Sequence, residues 1–188
     1  DKMVDGRKAV YDYGDANEVI IGDAHAALFG GFNTDLEWKG LTVGLNFTYK
    51  IGGKLYDGAA KDVADDGYYW ERTRSKFYYD QMWRADNRTN GTLPRVSGED
   101  WTDAMRCSTR WLYDASYLRL STVSVGYTLP SDVVKKMHLK NARVYFNGGN
   151  LLTFYKYKNA DPVVNEYGTR GWETPVGRTY TFGIELSF

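Results

Sequence analysis

The chain is poor in the residues that build metal centres and disulfide frameworks. Its 188 residues include one cysteine and two histidines, His25 and His138. A single cysteine excludes an internal disulfide and a multi-cysteine zinc site, and two histidines far apart in sequence give no basis for a histidine-rich metal centre. Net charge is also absent, since 24 Lys and Arg balance 24 Asp and Glu. The basic excess typical of nucleic-acid-binding proteins is therefore missing, and no nucleic-acid partner is expected.

Long apolar runs are missing as well. No stretch approaches the roughly 20 apolar residues that a transmembrane helix needs. Membrane-spanning β-strands are still compatible with the sequence, because each needs only about 10 residues with one apolar face. The chain begins with Asp1 and shows no charged start followed by an apolar stretch, so we expect a mature or internal piece without its targeting signal. Aromatic residues, by contrast, are abundant, with 16 Tyr, 8 Phe and 6 Trp.

Apolar and polar residues alternate with a period of two in several segments, which predicts antiparallel β-strands. The clearest pair is joined by Lys39-Gly40, which predicts a tight hairpin. In the third segment the alternation changes parity near Ser121-Thr122, which predicts a β-bulge. The five predicted strands are residues 28–38, 41–51, 116–129, 142–154 and 178–188.

The connections between these strands alternate between long and short. The long ones are residues 1–27, 52–115 and 155–176, whereas 39–40 and 130–141 are short. Outer-membrane barrels sort their connections in this way, with short periplasmic turns and long extracellular loops. Within the second short connection, residues 132–139 predict one or two helical turns with Ser131 as the N-cap.

The two faces of the predicted strands differ in the way that a membrane barrel requires. On one parity, aromatic residues lie near both strand ends, as expected at the two membrane interfaces. Charged residues fall on the opposite parity, where they avoid lipid; they are Asp35, Glu37, Lys50, Arg143 and Glu185, with Arg119 added if the bulge follows it. The sequence therefore predicts an all-β chain that forms part of a transmembrane β-barrel.

Several stretches resemble the SusC/RagA family of TonB-linked outer-membrane transporters of Bacteroidetes-type bacteria. The most specific are WLYDASYLRLSTVSVGYTLP at 111–130 and NGGNLLTFYKYKNADPVV at 147–164; residues 19–41 and the closing RTYTFGIELSF at 178–188 also match. The resemblance implies a barrel of about 22 strands, of which this chain would supply the last five, with the plug domain outside the chain.

The same resemblance implies a function and a set of partners. The whole protein would be a nutrient importer in the bacterial outer membrane, not an enzyme, and would take up an oligosaccharide or a peptide. A SusD-like surface lipoprotein would act as a lid, and TonB would drive import through the plug. This chain would contribute barrel wall, surrounded by outer-membrane lipid and by the rest of the barrel, together with long loops near the cargo.

Candidate site residues lie mainly in the loops. The tryptophans are Trp70, Trp83, Trp101 and Trp111, and they would stack on sugar rings or contact the lid. The alternative is that they pack the loop against its neighbours, and this packing is expected for most of them. Phe188, which follows alternating aromatics, is expected to be the signal that the barrel-assembly machinery reads, the alternative being an ordinary strand end.

No cofactor is expected. Oxygen-rich loops can hold Ca²⁺, and a loose acidic cluster is present near the start of the chain; its members are Asp1, Asp5, Asp12 and Asp15. Their spacing does not match an EF-hand, so a solvated loop is the favoured interpretation.

Two other classes of function stay open. A soluble β-sandwich that binds carbohydrate through aromatic residues would have balanced loop lengths and would fold without detergent. A glycan-cleaving enzyme would need two carboxylates across a pocket, and the acidic pairs Asp65-Asp66 and Glu99-Asp100 come with no recognisable pocket.

Overall fold

The structure, a computed structural model, describes residues 2–4, 7–9, 13–64, 71, 73–86, 91–96, 106–157 and 161–188. Its strands in chain order are β1 (Lys2–Val4), β2 (Arg7–Ala9), β3 (Leu28–Trp38), β4 (Leu41–Ile51), β5 (Lys54–Asp57), β6 (Leu112–Asp114), β7 (Tyr117–Thr128), β8 (Asn141–Tyr155), β9 (Thr169–Arg170) and β10 (Thr179–Ser187). The α-helices are α1 (Gly58–Val63), α2 (Lys76–Gln81) and α3 (Ser131–Lys136). In this described part of the chain, no helix is both long enough and apolar enough to cross a membrane.

The chain divides into two compact units. The first, here called the sheet unit, consists of residues 25–53, 114–164 and 174–188. The second, here called the loop unit, consists of residues 1–24, 54–113 and 165–173.

The sheet unit contains a five-stranded antiparallel sheet in the order β10-β8-β7-β4-β3. Each strand pairs with the strands that precede and follow it within this unit, so the sheet is a simple meander whose edges are β3 and β10. The prediction of five antiparallel strands is confirmed, and the observed strands begin and end within one residue of the predicted bounds.

The predicted hairpin between β3 and β4 is present, with Trp38 opposite Leu41. Lys39 and Gly40 both adopt positive φ, 47° and 85°, which is the backbone of a type I′ turn. This turn matches the right-handed twist of the two strands. Gly40 also lies close to β7, since a Cβ there would be 2.7 Å from the Thr128 carbonyl oxygen. Glycine is therefore needed at this position for two independent reasons.

The predicted bulge in β7 is also present. Asn46 pairs with Thr122 and Phe47 pairs with Leu120, so Ser121 is the extra residue. Its hydroxyl lies 2.7 Å from that of Thr48. Because of this extra residue, Leu120 returns to the same face as the apolar residues that follow the bulge.

The short helix in the second short connection differs from its prediction. α3 ends at Lys136, three residues early, and its N-cap is Pro130 without a side-chain hydrogen bond. The prediction of Ser131 as N-cap is therefore wrong: Ser131 is the first helical residue. The Pro130 carbonyl accepts from Val133 and Val134, and the ring of Pro130 fixes its φ at −59°. His138, with φ 57°, turns the chain after the helix.

The loop unit has a hydrophobic core of its own. Its buried cluster consists of Ala60, Ala64, Tyr78, Leu93 and Trp111, with Tyr56, Phe77 and Met82 packed around it. Four of these eight residues lie in β5, α1 and α2: Tyr56, Ala60, Phe77 and Tyr78. Burial raises the pKa of the Tyr56 hydroxyl, and the neighbouring Cys107 adds to the rise. The described part of the long connection thus packs around an apolar centre, which its sequence pattern did not predict.

A buried ion pair joins two distant parts of the loop unit. Asp57, fully buried at the end of β5, accepts from Nη1 of Arg170 in β9 at 3.1 and 3.0 Å. The same carboxylate accepts from the Ala60 amide at 2.8 Å and so caps α1. β5 and β9 pair in parallel at this point. One side chain therefore holds a strand, a helix and a second loop together.

Candidate functional site

One face of the five-stranded sheet is apolar across its whole width. A single cross-strand row contains Leu36, Val43, Val125, Phe146 and Phe182. Phe146 and Phe182 have ring centroids 4.9 Å apart. Leu36 and Phe182 are nevertheless 62% and 78% exposed. An apolar face of this extent, with nothing from the described chain covering it, marks a surface that meets lipid or another apolar partner.

Aromatic side chains lie toward both ends of this apolar face. Trp38 and Tyr127 are exposed at the end that carries the short connections. Tyr49, Phe154 and Tyr180 are nearer the opposite strand ends. This is the distribution of aromatic residues expected at the two interfaces of a membrane strand.

The other face of the sheet is polar. One cross-strand row contains Thr42, Gly126, Tyr145 and Gly183, and in the next row Arg143 lies opposite Glu185. A groove of about 340 Å³ follows these rows. This groove, here called the polar groove, is bordered by Val125, which belongs to the apolar row, and is otherwise lined by polar residues: Ser124, Arg143, Tyr145, Asn147 and Glu185. Donors and acceptors thus line one side of the sheet and hydrocarbon lines the other.

Glycines make room for the long side chains of the polar groove. A Cβ at Gly183 would lie 2.2 Å from Cζ of Tyr145, so the tyrosine ring crosses directly over this glycine. At Gly126 a Cβ would lie 2.7 Å from Nη2 of Arg143. Tyr145 and Arg143 therefore lie across neighbouring strands, and the glycines fix how they are placed.

The Gly183→Ala substitution should destabilise the full-length protein, because the new methyl group forces the Tyr145 ring out of its place. The cost should stay below about 1 kcal/mol, because the atoms that meet the new methyl group are the far end of a half-exposed side chain that can turn aside. The measurement is the apparent unfolding temperature in detergent, with Gly177→Ala as the control because nothing lies within 4 Å of a Cβ there. Adding Tyr145→Ala to Gly183→Ala should restore part of the loss; no restoration would contradict the proposed packing.

A buried arginine attaches the start of the second long connection to the polar face. Arg119 in β7 is 7% exposed, and its Nη2 lies 2.6 Å from Oδ1 of Asp161. Its Nε donates to the Thr153 hydroxyl at 3.1 Å. Asp161 Oδ1 also accepts from the Val163 amide at 2.9 Å. Asp161 and Val163 are thereby held against the sheet.

A second polar cluster joins the strand ends at the long connections. Ser116 donates to Asp114 from its hydroxyl and from its backbone amide, and the Ser116 hydroxyl accepts from the Gly52 amide at 3.0 Å. The Ser116 hydroxyl first, and then its amide, lower the pKa of Asp114, with a smaller contribution from Lys156 at 3.3 Å. Asp114 therefore stays ionised to a lower pH than an isolated aspartate.

The four tryptophans predicted as contact residues are not equivalent. Trp111 is fully buried in the core of the loop unit, so it packs the loop, which is the alternative interpretation given above. Trp83 is 43% exposed, and its backbone amide bonds to the Leu93 carbonyl. Trp70 and Trp101 lie outside the described residues. Trp83 is thus the one described member of the set whose ring is available to a ligand.

Sequence reasoning missed two strongly exposed aromatic residues in the segment 165–173 of the loop unit. Tyr167 is 74% exposed and Trp172 is 69% exposed. Both fall in the predicted loop 155–176, so their position in a long connection was the signal that could have found them. A cavity of about 560 Å³ also lies in this unit, and its lining includes Arg74, Tyr79 and Met82. Arg84 stacks over the Tyr79 ring at 4.3 Å.

The other predicted site residues lie apart from these features. Phe188 follows β10 and is 80% exposed. Of the acidic cluster suggested for Ca²⁺, Asp15 is exposed in a 3₁₀ turn, and the other three members lie outside the described residues, as do the acidic pairs at 65–66 and 99–100. No group of three or more potential metal ligands occurs among the residues that the structure describes.

Two curated proteins are similar to this chain over most of its length. No protein-family model matches the chain. The chain is similar to TonB-dependent receptor P3 of Formosa agariphila, with 32% identity over 92% of the chain, and to TonB-dependent receptor P26 of the same organism, with 26% identity over 100%. It spans 17% and 20% of the lengths of these two relatives.

Solved structures of related proteins also align with most of this chain. The RagAB peptide importer in its closed-closed state aligns with a TM-score of 0.67 and 28% identity, over 90% of this chain and 18% of that one. A second structure, of the RagAB peptide transporter, aligns with a TM-score of 0.70 and 29% identity over the same shares.

Proposed function

Because this chain is a barrel segment of a TonB-dependent receptor of the SusC/RagA type, we propose that it forms part of the wall of a nutrient importer in the bacterial outer membrane. The observation that carries the proposal is the five-stranded sheet, which is apolar and exposed on one face and polar on the other. In the proposal the apolar face meets lipid and the polar groove faces the interior of the barrel.

The rest of the receptor completes the barrel. β3 and β10 are the edges of the sheet, and unpaired edges are not tolerated in lipid, so each pairs with a further strand of the receptor. Phe188, directly after β10, is kept as the proposed assembly signal. TonB drives import through a plug domain supplied by the rest of the receptor.

The loop unit is the part of this chain that meets cargo or lid. Its segments 54–113 and 165–173 are long connections, and loops placed on a rigid scaffold commonly carry binding residues. Trp83, Tyr167 and Trp172 present flat rings to the surface, which suits stacking on a sugar ring or packing on a peptide side chain. A SusD-like lipoprotein is the proposed lid, and an oligosaccharide or a peptide is the proposed cargo.

Extraction of the native protein tests this proposal. We expect the receptor that contains this segment to leave membranes only with detergent, because its apolar face requires lipid. On a native gel it should then migrate with a second, lipid-anchored chain, identified by mass spectrometry. A segment that stays soluble without detergent and binds sugar alone would contradict the importer and favour the soluble carbohydrate-binding module.

A further inference from the structure

The two short connections of the sheet unit are strongly basic. Residues 39–40 and 130–140 contain four lysines and a single acidic residue, Asp132. The four lysines, here called the basic rim, are Lys39, Lys135, Lys136 and Lys140. All four are exposed, and the Lys39 ammonium lies 5.0 Å from the centre of the Trp38 ring.

α3 adds apolar surface beside these lysines. Val134 is buried, whereas Val133 and Met137 are 44% and 53% exposed. Val133 and Met137 are four residues apart and so lie on the same side of the helical turn, with Lys136 next to them. Exposed apolar residues flanked by lysines are typical of a helix that lies in the interface of a membrane.

The basic rim lies just beyond the end of the apolar face. Trp38 pairs with Leu41, Leu41 with Tyr127, and Tyr127 with Val144, so an apolar row crosses four strands at this end of the sheet. α3 begins three residues after β7 ends. Lysine stems can therefore lie along hydrocarbon while their ammonium groups reach the headgroup layer.

We propose that the basic rim binds the phosphate groups of anionic glycerophospholipids in the leaflet at the short-connection end. The inference rests on the proposed function, because it requires the apolar face to lie in a bilayer. Charge complementarity favours this occupant, since four exposed lysines lie in the connections beyond the end of the apolar face, at the level where the phosphates of a bilayer would lie. The acyl chains of the same lipids would contact Trp38, Tyr127 and Met137. A free anion would contact only solvated lysines, whereas a lipid would contact the lysines through its phosphate and the apolar side chains through its acyl chains.

Native mass spectrometry of the full-length receptor in nonionic detergent tests the proposal. Phosphatidylglycerol and phosphatidylcholine with identical acyl chains are added at equal concentration, and the retained lipids are counted. We expect the wild-type receptor to retain phosphatidylglycerol preferentially. The variant K135Q/K136Q/K140Q should lose this preference, with an affinity about five-fold lower for each lysine removed.

Matched variants separate the possible causes. K54Q/K76Q/K156Q removes three exposed lysines from the long connections and should retain the preference. V133S/M137S should lower the retention of both lipids. Excess inorganic phosphate should not displace phosphatidylglycerol from the wild type. An unchanged heat-induced mobility shift on electrophoresis checks that each variant is folded.

The outcomes are distinguishable. Equal retention of the two lipids by the wild type, an unchanged preference in K135Q/K136Q/K140Q, or complete displacement by inorganic phosphate would overturn the lipid site while leaving the importer intact. A receptor that dissolves without detergent and retains neither lipid would instead overturn the proposed function on which the inference rests.

Discussion

Replacing Trp111 with alanine should unfold the loop unit while the sheet unit stays folded. Trp111 is fully buried in a cluster with Ala60, Ala64, Tyr78 and Leu93, and truncating a buried tryptophan costs about 3–5 kcal/mol. A unit with so small a buried cluster has little stability to lose. Limited proteolysis of the full-length receptor should therefore cut within residues 54–113 in the variant at protease concentrations that leave the wild type intact.

Trp83→Ala is the matched control for this experiment. Its ring is 43% exposed, so the loss of stability should stay within about 0.5 kcal/mol and protease resistance should be unchanged. If Trp83 contacts cargo or lid as proposed, its removal should instead weaken binding of that ligand by about five- to ten-fold, which is about 1–1.4 kcal/mol. Equal protease sensitivity of the two variants would show that Trp111 does not hold the loop unit together.

Replacing Asp161 with leucine should destabilise the sheet unit by about 3–5 kcal/mol, because it leaves the buried Arg119 guanidinium without its counter-charge. The Val163 amide loses its acceptor in the same variant. The expected results are a lower unfolding temperature of the full-length receptor and faster hydrogen exchange at the Val163 amide.

The double variant R119M/D161L distinguishes charge from packing. With both partners replaced by apolar residues of similar size, no charge is left buried, so most of the lost stability should return. The exposed ion pair between Lys156 and Asp114 provides the reference. The Lys156 side chain is 83% exposed, so the Lys156→Met substitution should lower the free energy of unfolding by less than about 1 kcal/mol. A double variant no more stable than D161L alone would contradict the electrostatic explanation.

Where the pattern in the sequence is local and periodic, it predicted the structure well. The strands of the sheet unit follow from alternation with a period of two, and Lys39-Gly40 supplies the turn that fixes the register of the first hairpin. The bulge at Ser121 was visible as a change of parity. The N-cap of α3 was predicted wrongly at Ser131, because serine is a preferred N-cap residue, whereas the Pro130 carbonyl accepts the first helical hydrogen bonds.

The loop unit could not be predicted from its sequence because its elements are short and depend on distant partners. α1 and α2 have six residues each, and β9 has two, which is too little for a periodic signal. Trp83 and Trp111 lie in similar aromatic and charged surroundings in sequence. Only the packing of Trp111 against Tyr78 and Leu93 separates a core residue from a surface one.

The ion pair between Asp57 and Arg170 also sets an order of events during folding. Its two residues are 113 positions apart, and the parallel pairing of β5 with β9 forms only when both are present. Closing so long a stretch of chain is slow compared with forming the neighbouring hairpins. We therefore expect residues 54–57 to complete their pairing only after residues 169–170 have been synthesised and brought to them, so this part of the loop unit should acquire protection from hydrogen exchange later than the hairpin of β3 and β4.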